Sequence, residues 1–542
     1  MSAILSQDDL NDFISPSVAC IKPIVPASQD ESNIGEVEIQ IDKNGNPLEI
    51  SKIDQKVKQL SPAQISLSDC LACSGCITSA EEVLVAQHSY EQLLNSLQDR
   101  EKVFVVSISH QSRASLAAAY SLSIEQIDKL LINLFIHQLK FSYIIGTSLG
   151  RKLSLIEEAK NIINSKKESS ENNTGAPLLS SICPGWVLYA EKTHPHVLSY
   201  LSTVKSPQQI TGNILKTLVS QELGIPKKNI YHLSIMPCFD KKLESARPEK
   251  GQEQESYNDV DCVLTPKELV TLLEQHQDEY QLMAPLQEHD TLKNLYRKYA
   301  PNDWPLVEYS WSNDSGSTSG GYGWNYLKLY QQHLILKDPV QYQIENFKIK
   351  IVNGKNSDIY EMRLNYQDKL IASSIVLNGF RNIQNLVRKL KNPVKSTSGG
   401  TTTKRINPLV AKRRARLQKS NSASPVPTST GLEEATAEEI DVLKADYIEI
   451  MACPNGCING GGQITNPSEI SEKDWISEVI LKYSEIEMVD LANNLNIVND
   501  LQGWEQQYCE SFDIGQERLI NTWFKQVEKP TDQATMLLGA KW

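Results

Sequence analysis

The chain has 542 residues, several times the usual size of a single domain, so more than one core or lobe is expected. Its formal net charge is -12 and its isoelectric point is about 5.4. This acidic balance excludes a nucleic-acid-binding protein as a whole, because phosphate binding requires a basic surface. The first residues carry acidic side chains where a secretory signal would carry lysines and an apolar segment, so we expect a cytosolic or nuclear protein.

The chain contains ten cysteines, which in a reducing compartment do not indicate a disulfide framework. Metal ligation is therefore the leading interpretation of these residues. The longest apolar runs, such as LLINLFI at residues 130–136, are far shorter than the roughly 20 residues that span a bilayer. No transmembrane helix is predicted.

The predicted elements begin with a small N-terminal iron-sulfur module, residues 1–98. Its sequence DCLACSGC places Cys70, Cys73 and Cys76 on one loop, where closely spaced thiolates can occupy three corners of an iron-sulfur cluster. Cys20 is the best candidate for the fourth ligand, and we call these four residues the N-terminal cysteines. A zinc site is the alternative, but zinc sites more often use two separated cysteine pairs.

A first α/β lobe is predicted over residues 99–340. VFVVSIS indicates a buried strand, RASLAAAYSLSIEQIDKLLINLFIHQL a helix, FSYIIGTSL a strand and LSLIEEAKNII a helix. After a polar loop, the segments PLLSSICPGW, IYHLSIMPCFD and DVDCVLTPKELVTLLEQ continue the alternation. Strands that alternate with helices are typical of a parallel sheet.

A second lobe is predicted over residues 341–525, where YQIENFKIKIV, KLIASSIVLNG and NIQNLVRKLK alternate again. An insertion at about residues 392–440 is rich in Ser, Thr, Pro and Gly, and we predict it to be disordered. Its segment KRRAR, Lys412 to Arg416, could bind a nuclear-import receptor or another anionic partner. We favour the alternative, a solvated run of charge. Residues 526–542 form a C-terminal tail, and Trp542 at its end is predicted to be frayed unless a partner binds it.

Four further cysteines each close an apolar strand. We call them the dispersed cysteines, and they are Cys183 in SSICPGW, Cys238 in IMPCFDKKLESAR, and Cys453 and Cys457 in MACPNGCINGGG. Because the carboxyl ends of parallel strands meet at one edge of a sheet, we expect their thiolates to converge on one metal cluster.

The residues around the dispersed cysteines suit a cluster. Pro454 favours the first turn of a helix, whose free N–H groups would stabilise neighbouring thiolates. Glycines at 460–462 permit close approach of the backbone to a cofactor. Thiolates around a cluster carry negative charge, so cations are expected nearby, and the candidates are Lys241, Lys242 and Arg247.

Together these segments resemble the iron-only hydrogenases, whose catalytic domain carries segments of the form TSCCPxW, MPCxxKxxE and MACxxGCxxGGG. The matching segments here are residues 180–186, 236–244 and 451–462. The resemblance also includes KSPQQITG at 205–212, DVDCVLTPKEL at 259–269 and SGGY at 319–322. It implies a hydrogenase-like α/β fold of two lobes, each a mainly parallel sheet flanked by helices, with a small ferredoxin-like N-terminal module.

The resemblance implies that the dispersed cysteines ligate one [4Fe-4S] cluster, beside a second on the N-terminal cysteines. The chain departs from the hydrogenases at Ile182, where they carry a second cysteine that relays protons to a diiron centre. Isoleucine cannot carry a proton. Asn455 also replaces the usual glycine of the third segment.

This pattern is similar to the non-hydrogenase branch of the family, the eukaryotic cytosolic iron-sulfur assembly factors related to the nuclear prelamin A recognition factor. That branch implies a non-catalytic component of cytosolic iron-sulfur protein assembly. It would link a P-loop NTPase scaffold complex to a WD40-containing targeting complex that inserts clusters into cytosolic and nuclear apoproteins. The expected location is the cytoplasm, with the nucleus as a second expected location, and no nucleic-acid partner is expected.

Two other functions stay open. A redox enzyme of the iron-only hydrogenase type would require a proton carrier, and Ile182 makes this the weaker hypothesis. A zinc-stabilised interaction protein without a redox cofactor is disfavoured by the hydrogenase-like segments. Cys262 and Cys509 stand outside both cysteine sets and are predicted to be packed thiols.

Overall fold

The structure is a computed structural model that describes residues 88–172, 176–247, 257–354, 356–391, 440–466, 470–491 and 493–527, and three short strands before them. The N-terminal cysteines and nearly all of the predicted insertion lie outside the described residues. The strands, in chain order, are β1 (Val37–Ile41), β2 (Pro47–Ser51), β3 (Val57–Gln59), β4 (Val103–Ile108), β5 (Tyr143–Gly146), β6 (Leu178–Leu179), β7 (Ile230–Ile235), β8 (Cys262–Leu264), β9 (Phe347–Asn353), β10 (Ile359–Tyr366), β11 (Lys369–Asn378) and β12 (Tyr447–Met451). Strands β1, β2 and β3 form an antiparallel sheet in the predicted N-terminal module.

The first large sheet has four parallel strands in the order β5-β4-β7-β8. Strands β4 and β7 are buried along almost their whole length, as expected for parallel strands that are covered on both faces. Val105 belongs to one apolar core, whereas its neighbours Phe104 and Val106 belong to a second core on the opposite face. The predicted parallel α/β sheet is confirmed.

The second large sheet is mixed, with the order β6-β12-β11-β10-β9. Strands β6, β12 and β11 are parallel, whereas β10 and β9 are each antiparallel to their neighbours. Gln367 and Asp368 connect β10 to β11, and a two-residue connection reverses the direction of the chain. Strand β6 comes from the predicted first lobe, and the predicted domain boundaries stay predictions.

The turn between β10 and β11 offers a stabilising substitution. Gln367 and Asp368 have φ angles of 47° and 63°, in the left-handed region that favours glycine. We expect Asp368→Gly to raise the free energy of unfolding by about 0.5–1 kcal/mol, because two-residue hairpin turns of this kind prefer glycine at the second position. Thermal unfolding of the variant and the wild type would test this, and a lower midpoint in the variant would contradict it.

Helices cover both large sheets, and their ends follow local sequence signals. The α-helices of the described residues are α1 (Tyr90–Ser96), α2 (His110–Ala119), α3 (Ile124–Ile132), α4 (Ser148–Asn172), α5 (Pro184–Thr193), α6 (Pro207–Leu223), α7 (Asp240–Ser245), α8 (Pro266–Gln275), α9 (Leu292–Lys298), α10 (Tyr322–Lys337), α11 (Phe380–Lys391), α12 (Glu472–Ser484), α13 (Leu495–Phe512) and α14 (Gln516–Ile520). Helix α6, for example, starts with proline at its first position and ends at Gly224, whose φ is 65°.

One apolar core joins the two large sheets. It contains Val105 and Ile145 of the first sheet and Ile375 and Ile448 of the second, together with side chains of helices α4, α5 and α6. Burying these apolar surfaces against each other stabilises the contact between the sheets. Within the described ranges, no helix combines the length and the apolar character that a membrane crossing requires.

Candidate metal centre

Each dispersed cysteine lies at the end of a strand or the start of a helix. Cys183 is the N-terminal cap of α5, and Pro184 occupies the first position of that helix. Cys238 lies between β7 and α7. Cys453 and Cys457 follow β12, and the second of them opens a short 3-10 helix. Three segments that are remote in sequence therefore carry the four thiols.

The dispersed cysteines line a single cavity, whose space between protein atoms is about 690 Å³ when the adjoining open solvent is included. We call it the four-cysteine cavity. Ile182 and Lys241 also line it. The structure thus brings together all four residues that were predicted to share one cluster, and their role as ligands stays a prediction. The N-terminal cysteines, predicted to hold the other cluster, lie outside the described residues.

Hydrogen-bond donors face the sulfurs of this cavity. The backbone N–H of Ala452 donates to Cys183 Sγ at 3.3 Å. The Ser319 hydroxyl bonds to the Cys457 side chain, and the backbone N–H of Cys457 donates to Ser319 Oγ at 2.9 Å. Donors of this kind stabilise thiolate charge and tune iron-sulfur clusters, so the surroundings of the sulfurs suit such a cofactor.

Burial raises the pKa of all four thiols. It raises the pKa of Cys183 to about 12, and the nearby charge of Cys457 adds to this effect. The pKa values of Cys238, Cys453 and Cys457 are also raised, in each case chiefly by burial. The thiols therefore keep their protons in the absence of a metal, and a bound metal must displace those protons.

The third segment holds its cysteines in a tight turn. Asn455 and Gly456 have φ angles of 61° and 80°. Asparagine tolerates the left-handed region better than most residues, which allows Asn455 to replace the glycine of the hydrogenase segment. A Cβ on Gly456 would lie 2.3 Å from Ser319 Oγ. The turn therefore requires glycine at 456, because Ser319 fills the space beside Cys457.

Lys241 is the predicted cation that lines the four-cysteine cavity. Its Nζ donates to the backbone oxygen of Ile182 at 3.1 Å and pairs with Glu244 at 2.9 Å. The ammonium group thus connects the segment that carries Cys183 with the helix that follows Cys238. This placement suits a cation that offsets the negative charge of bound thiolates.

The same prediction is wrong for Lys242 and Arg247, which do not line the cavity. Lys242 pairs with Glu268 at 2.5 Å and Arg247 pairs with Glu191 at 2.7 Å. Lys241 and Lys242 are successive residues of α7 and therefore point in different directions, and Arg247 lies beyond the end of that helix. Of three cations that are close in sequence, one faces the cavity.

The structure adds cavity residues that the sequence did not single out. Ser109, Thr147 and Arg151 all line the four-cysteine cavity. Ser109 and Thr147 directly follow β4 and β5, so the rule that ligands bind at the carboxyl ends of parallel strands would have indicated them. Arg151 lies inside helix α4, and no sequence signal distinguishes a buried arginine there from a surface one.

The donor set fits a group of several metal atoms better than a single ion. In the part of the chain that the structure describes, no three His, Cys, Asp or Glu side chains are grouped so as to hold one metal ion. The dispersed cysteines instead line one cavity together, and hydrogen-bond donors lie at the sulfurs of Cys183 and Cys457. Iron-sulfur clusters require this arrangement, whereas a zinc site brings its ligands around one point.

Comparison with known proteins agrees with this chemistry. Residues 102–461 match the family described as iron only hydrogenase large subunit, C-terminal domain. The Scheffersomyces stipitis protein named cytosolic Fe-S cluster assembly factor NAR1 is 62% identical over 560 residues, covering 100% of both chains. The Saccharomyces cerevisiae protein of the same name is 39% identical over 503 residues, covering 90% of this chain and 92% of that one. This chain belongs to the NAR1 family of cytosolic Fe-S cluster assembly factors.

The fold of this NAR1 family member is that of the hydrogenases. A variant of apo [FeFe]-hydrogenase HydA1 from Chlamydomonas reinhardtii superimposes with a TM-score of 0.54, covering 81% of this chain and 99% of that chain. The sequence identity is 18%, so the likeness concerns the fold alone. The predicted hydrogenase-like fold is confirmed.

Two other cysteines of this NAR1 family member lie away from the four-cysteine cavity. Cys262 is in β8, fully buried in the core on the outer face of the first sheet. Cys509 is half-buried in α13. Neither lines the cavity, and their positions agree with the predicted role of packed thiols.

A buried carboxyl group connects α4 with the second sheet of the NAR1-type fold. Glu158 accepts hydrogen bonds from the hydroxyl of Tyr447, at 2.7 Å, and from the hydroxyl of Ser202. Burial raises the pKa of Glu158 from an ordinary value of 4.5 to about 7. The folded chain therefore holds this proton to a higher pH than the unfolded chain does.

The proton on Glu158 predicts a pH dependence of stability. Because the folded state binds the proton more tightly, its contribution to stability is present below about pH 4.5 and is lost as the pH rises towards 7. We expect Glu158→Gln to remove this decline, since glutamine does not ionise and keeps both contacts, with its amide oxygen accepting from one hydroxyl and its N–H donating to the other. Thermal unfolding at pH 5 and pH 8 would test this. The unfolding midpoint of the variant, relative to that of the wild type, should be higher at pH 8 than at pH 5. An equal difference at both pH values would contradict the prediction.

Proposed function

We propose that this NAR1 family member is a non-catalytic component of cytosolic iron-sulfur protein assembly and binds a [4Fe-4S] cluster on the dispersed cysteines. The observation that carries the proposal is the four-cysteine cavity, where four thiols from three remote segments surround one space. Donors at Cys183 and Cys457 support the same cofactor. The bound cluster would supply iron-sulfur redox chemistry, and the chain's own residues would hold it between the two sheets.

A second [4Fe-4S] cluster is proposed on the N-terminal cysteines. Cys70, Cys73 and Cys76 have the spacing C-x2-C-x2-C, and Cys20 is the proposed fourth ligand. These residues lie outside the described part of the chain, so the sequence pattern alone supports this site.

The proposed role excludes hydrogen chemistry because of Ile182. This side chain lines the four-cysteine cavity and is 5% exposed. Proton transfer to a buried centre requires a positioned acid or base, and isoleucine has no group that ionises. The hydrogenases that the sequence resembles carry a cysteine at this position.

The proposed partners are a scaffold complex of P-loop NTPases and a targeting complex that contains a WD40 propeller. The chain would link the two, so that clusters reach cytosolic and nuclear apoproteins. Family membership supports this role, and the relatives' names place them in cytosolic assembly. A nuclear location stays a prediction, and the basic segment at residues 412–416 is better interpreted as a solvated run of charge than as an import signal.

Metal and sulfide analysis tests the proposal directly. Protein purified without oxygen is expected to be brown and to contain about eight iron and about eight sulfide atoms per chain, from two clusters. Cys73→Ala and Cys457→Ala should each remove about half of the iron and a different electron paramagnetic resonance signal. A colourless protein with bound zinc would reject the proposal.

A hydrogenase is the second candidate function, and the fold likeness to HydA1 is the observation that favours it. The proposed function predicts no hydrogen evolution from a reduced dye under anaerobic conditions. Hydrogen release, or infrared bands of metal-bound carbon monoxide and cyanide, would favour the enzyme instead.

A further inference from the structure

Arg151 carries a buried positive charge without a carboxylate partner among the described residues. It lies on α4 and is 3% exposed. Its Nη1 donates to Asn313 Oδ1 at 2.6 Å and to the hydroxyl of Tyr483 at 3.1 Å. Both of these partners are neutral. A buried cation normally requires an anion, because removing a charge from water is strongly unfavourable.

Neighbouring buried cations do have carboxylate partners. Arg113 pairs with Asp128, and Lys152 pairs with Asp314 at 2.5 Å. Each of these four side chains is almost fully buried, like Arg151. Asp314 is close enough to help raise the pKa of Arg151, but its ion pair is with Lys152, and Arg151 forms no ion pair of its own in the described part of the chain.

The buried Glu449 does not fill this role. One of its carboxylate oxygens accepts the backbone N–H of Gly323 at 2.9 Å, and the other accepts the hydroxyl of Ser317. It forms no ion pair with Arg151, although the guanidinium charge is close enough to oppose the rise that burial causes in the pKa of Glu449. Glu449 and Asp314 are thus near enough to act on the charge of Arg151, but neither of them forms an ion pair with it.

Arg151 is close to the four-cysteine cavity and to one of its thiols. Arg151 lines that cavity, and its Nε–H is buried without a hydrogen-bond partner. Burial raises the pKa of Cys457, and the positive charge of Arg151 is among the groups that oppose this rise. Arg151 thus brings a positive charge without an ion pair and an N–H without a hydrogen-bond acceptor close to the Cys457 thiol.

We propose that Arg151 is the counter-ion and a hydrogen-bond donor of an anionic iron-sulfur cluster in the four-cysteine cavity. The inference rests on the proposed function, because it requires a cluster on the dispersed cysteines. Reduction adds negative charge to the cluster, so a nearby guanidinium favours the reduced state and raises the reduction potential. It also opposes loss of the cluster, because leaving would expose an unpaired buried cation.

Two substitutions at Arg151 test this role. Arg151→Met removes the charge and the hydrogen-bond donors but keeps a side chain of similar length. Arg151→Lys keeps the charge but loses the planar guanidinium group. We expect Arg151→Met to lower the midpoint potential of the Cys457-dependent signal and to release iron to a chelator about tenfold faster. Arg151→Lys should show the same changes to a smaller extent. The signal that Cys73→Ala removes should keep its potential in both variants.

Arg113→Lys is the matched control, because Arg113 is equally buried but pairs with Asp128 and does not line the cavity. Its potential and rate of iron release should equal those of the wild type. If the Arg151 variants keep the reduction potential and the rate of iron release of the wild type, the inference about Arg151 is refuted and the proposed function is not. If Arg151→Met does not fold, Arg151→Lys decides by the same readouts. A wild type without the Cys457-dependent signal would instead refute the proposed function.

Discussion

Loss of the cluster from the four-cysteine cavity is expected to lower the midpoint of thermal unfolding by at least about 10 °C. The cavity lies where the two large sheets meet, and a cluster bound there would occupy the space between the four sulfurs. Four thiolate bonds would also join three remote chain segments. Without the metal, the buried thiols hold their protons and form no metal–sulfur bond between the segments. Cys453→Ala removes one ligand and tests this expectation.

The measurement compares iron content and thermal unfolding of Cys453→Ala with those of Cys262→Ala. Cys262 is a suitable control because it is fully buried but lies outside the cavity. Cys262→Ala should keep all of its iron and lose a smaller amount of stability, from the space left in the core. If Cys453→Ala retains the iron and the midpoint of the wild type, the dispersed cysteines do not hold a cluster.

The convergence of the dispersed cysteines could be predicted because it follows from topology. Each lies next to the end of an apolar strand or at the start of a helix, and both features are visible in the sequence. Parallel strands then bring such positions to one edge. Cys183 and Cys453 follow β6 and β12 of the second sheet, whereas Cys238 follows β7 of the first, so the cavity forms where the carboxyl edges of the two sheets meet. More than 200 residues separate Cys238 from Cys453.

Local chain reversals were harder to predict, since single residues decide them. The apolar segment predicted as one helix is divided into α2 and α3, because Ser123 and Gln126 cap the second helix reciprocally. The antiparallel pair β10 and β11 depends on Gln367 and Asp368, which are unusual residues for a two-residue hairpin turn.

The electrostatic partners of the cavity could not be predicted, since they depend on the direction of individual side chains. Lys241 and Lys242 are adjacent in sequence, but only the first of them lines the cavity. Arg151 lies on a helix that is amphipathic only weakly, and its burial results from contacts with Asn313 and Tyr483, which are distant in sequence. Such contacts arise from packing and leave no periodic signal.

Gly460→Ala is expected to remove about half of the iron from the protein. A Cβ on Gly460 would lie 2.4 Å from the backbone oxygen of Pro237 and 3.2 Å from that of Cys457. Both obstacles are backbone atoms, which cannot rotate away, so the two segments must separate. Cys238 is the residue after Pro237 and would move with it. Overpacking of this kind costs about 1–3 kcal/mol and would displace one thiol from the cluster.

Gly461→Ala provides the matched control, because the same methyl group added one residue later has no neighbouring atom within 4 Å. It should keep the iron content and the paramagnetic signals of the wild type. The two variants differ only in whether the third segment can approach Pro237, so a difference in iron between them isolates that close approach. Equal iron in both would show that the segments can separate without losing the cluster. The tight packing of Gly460 against Pro237 would then have no part in holding Cys238 at the cavity.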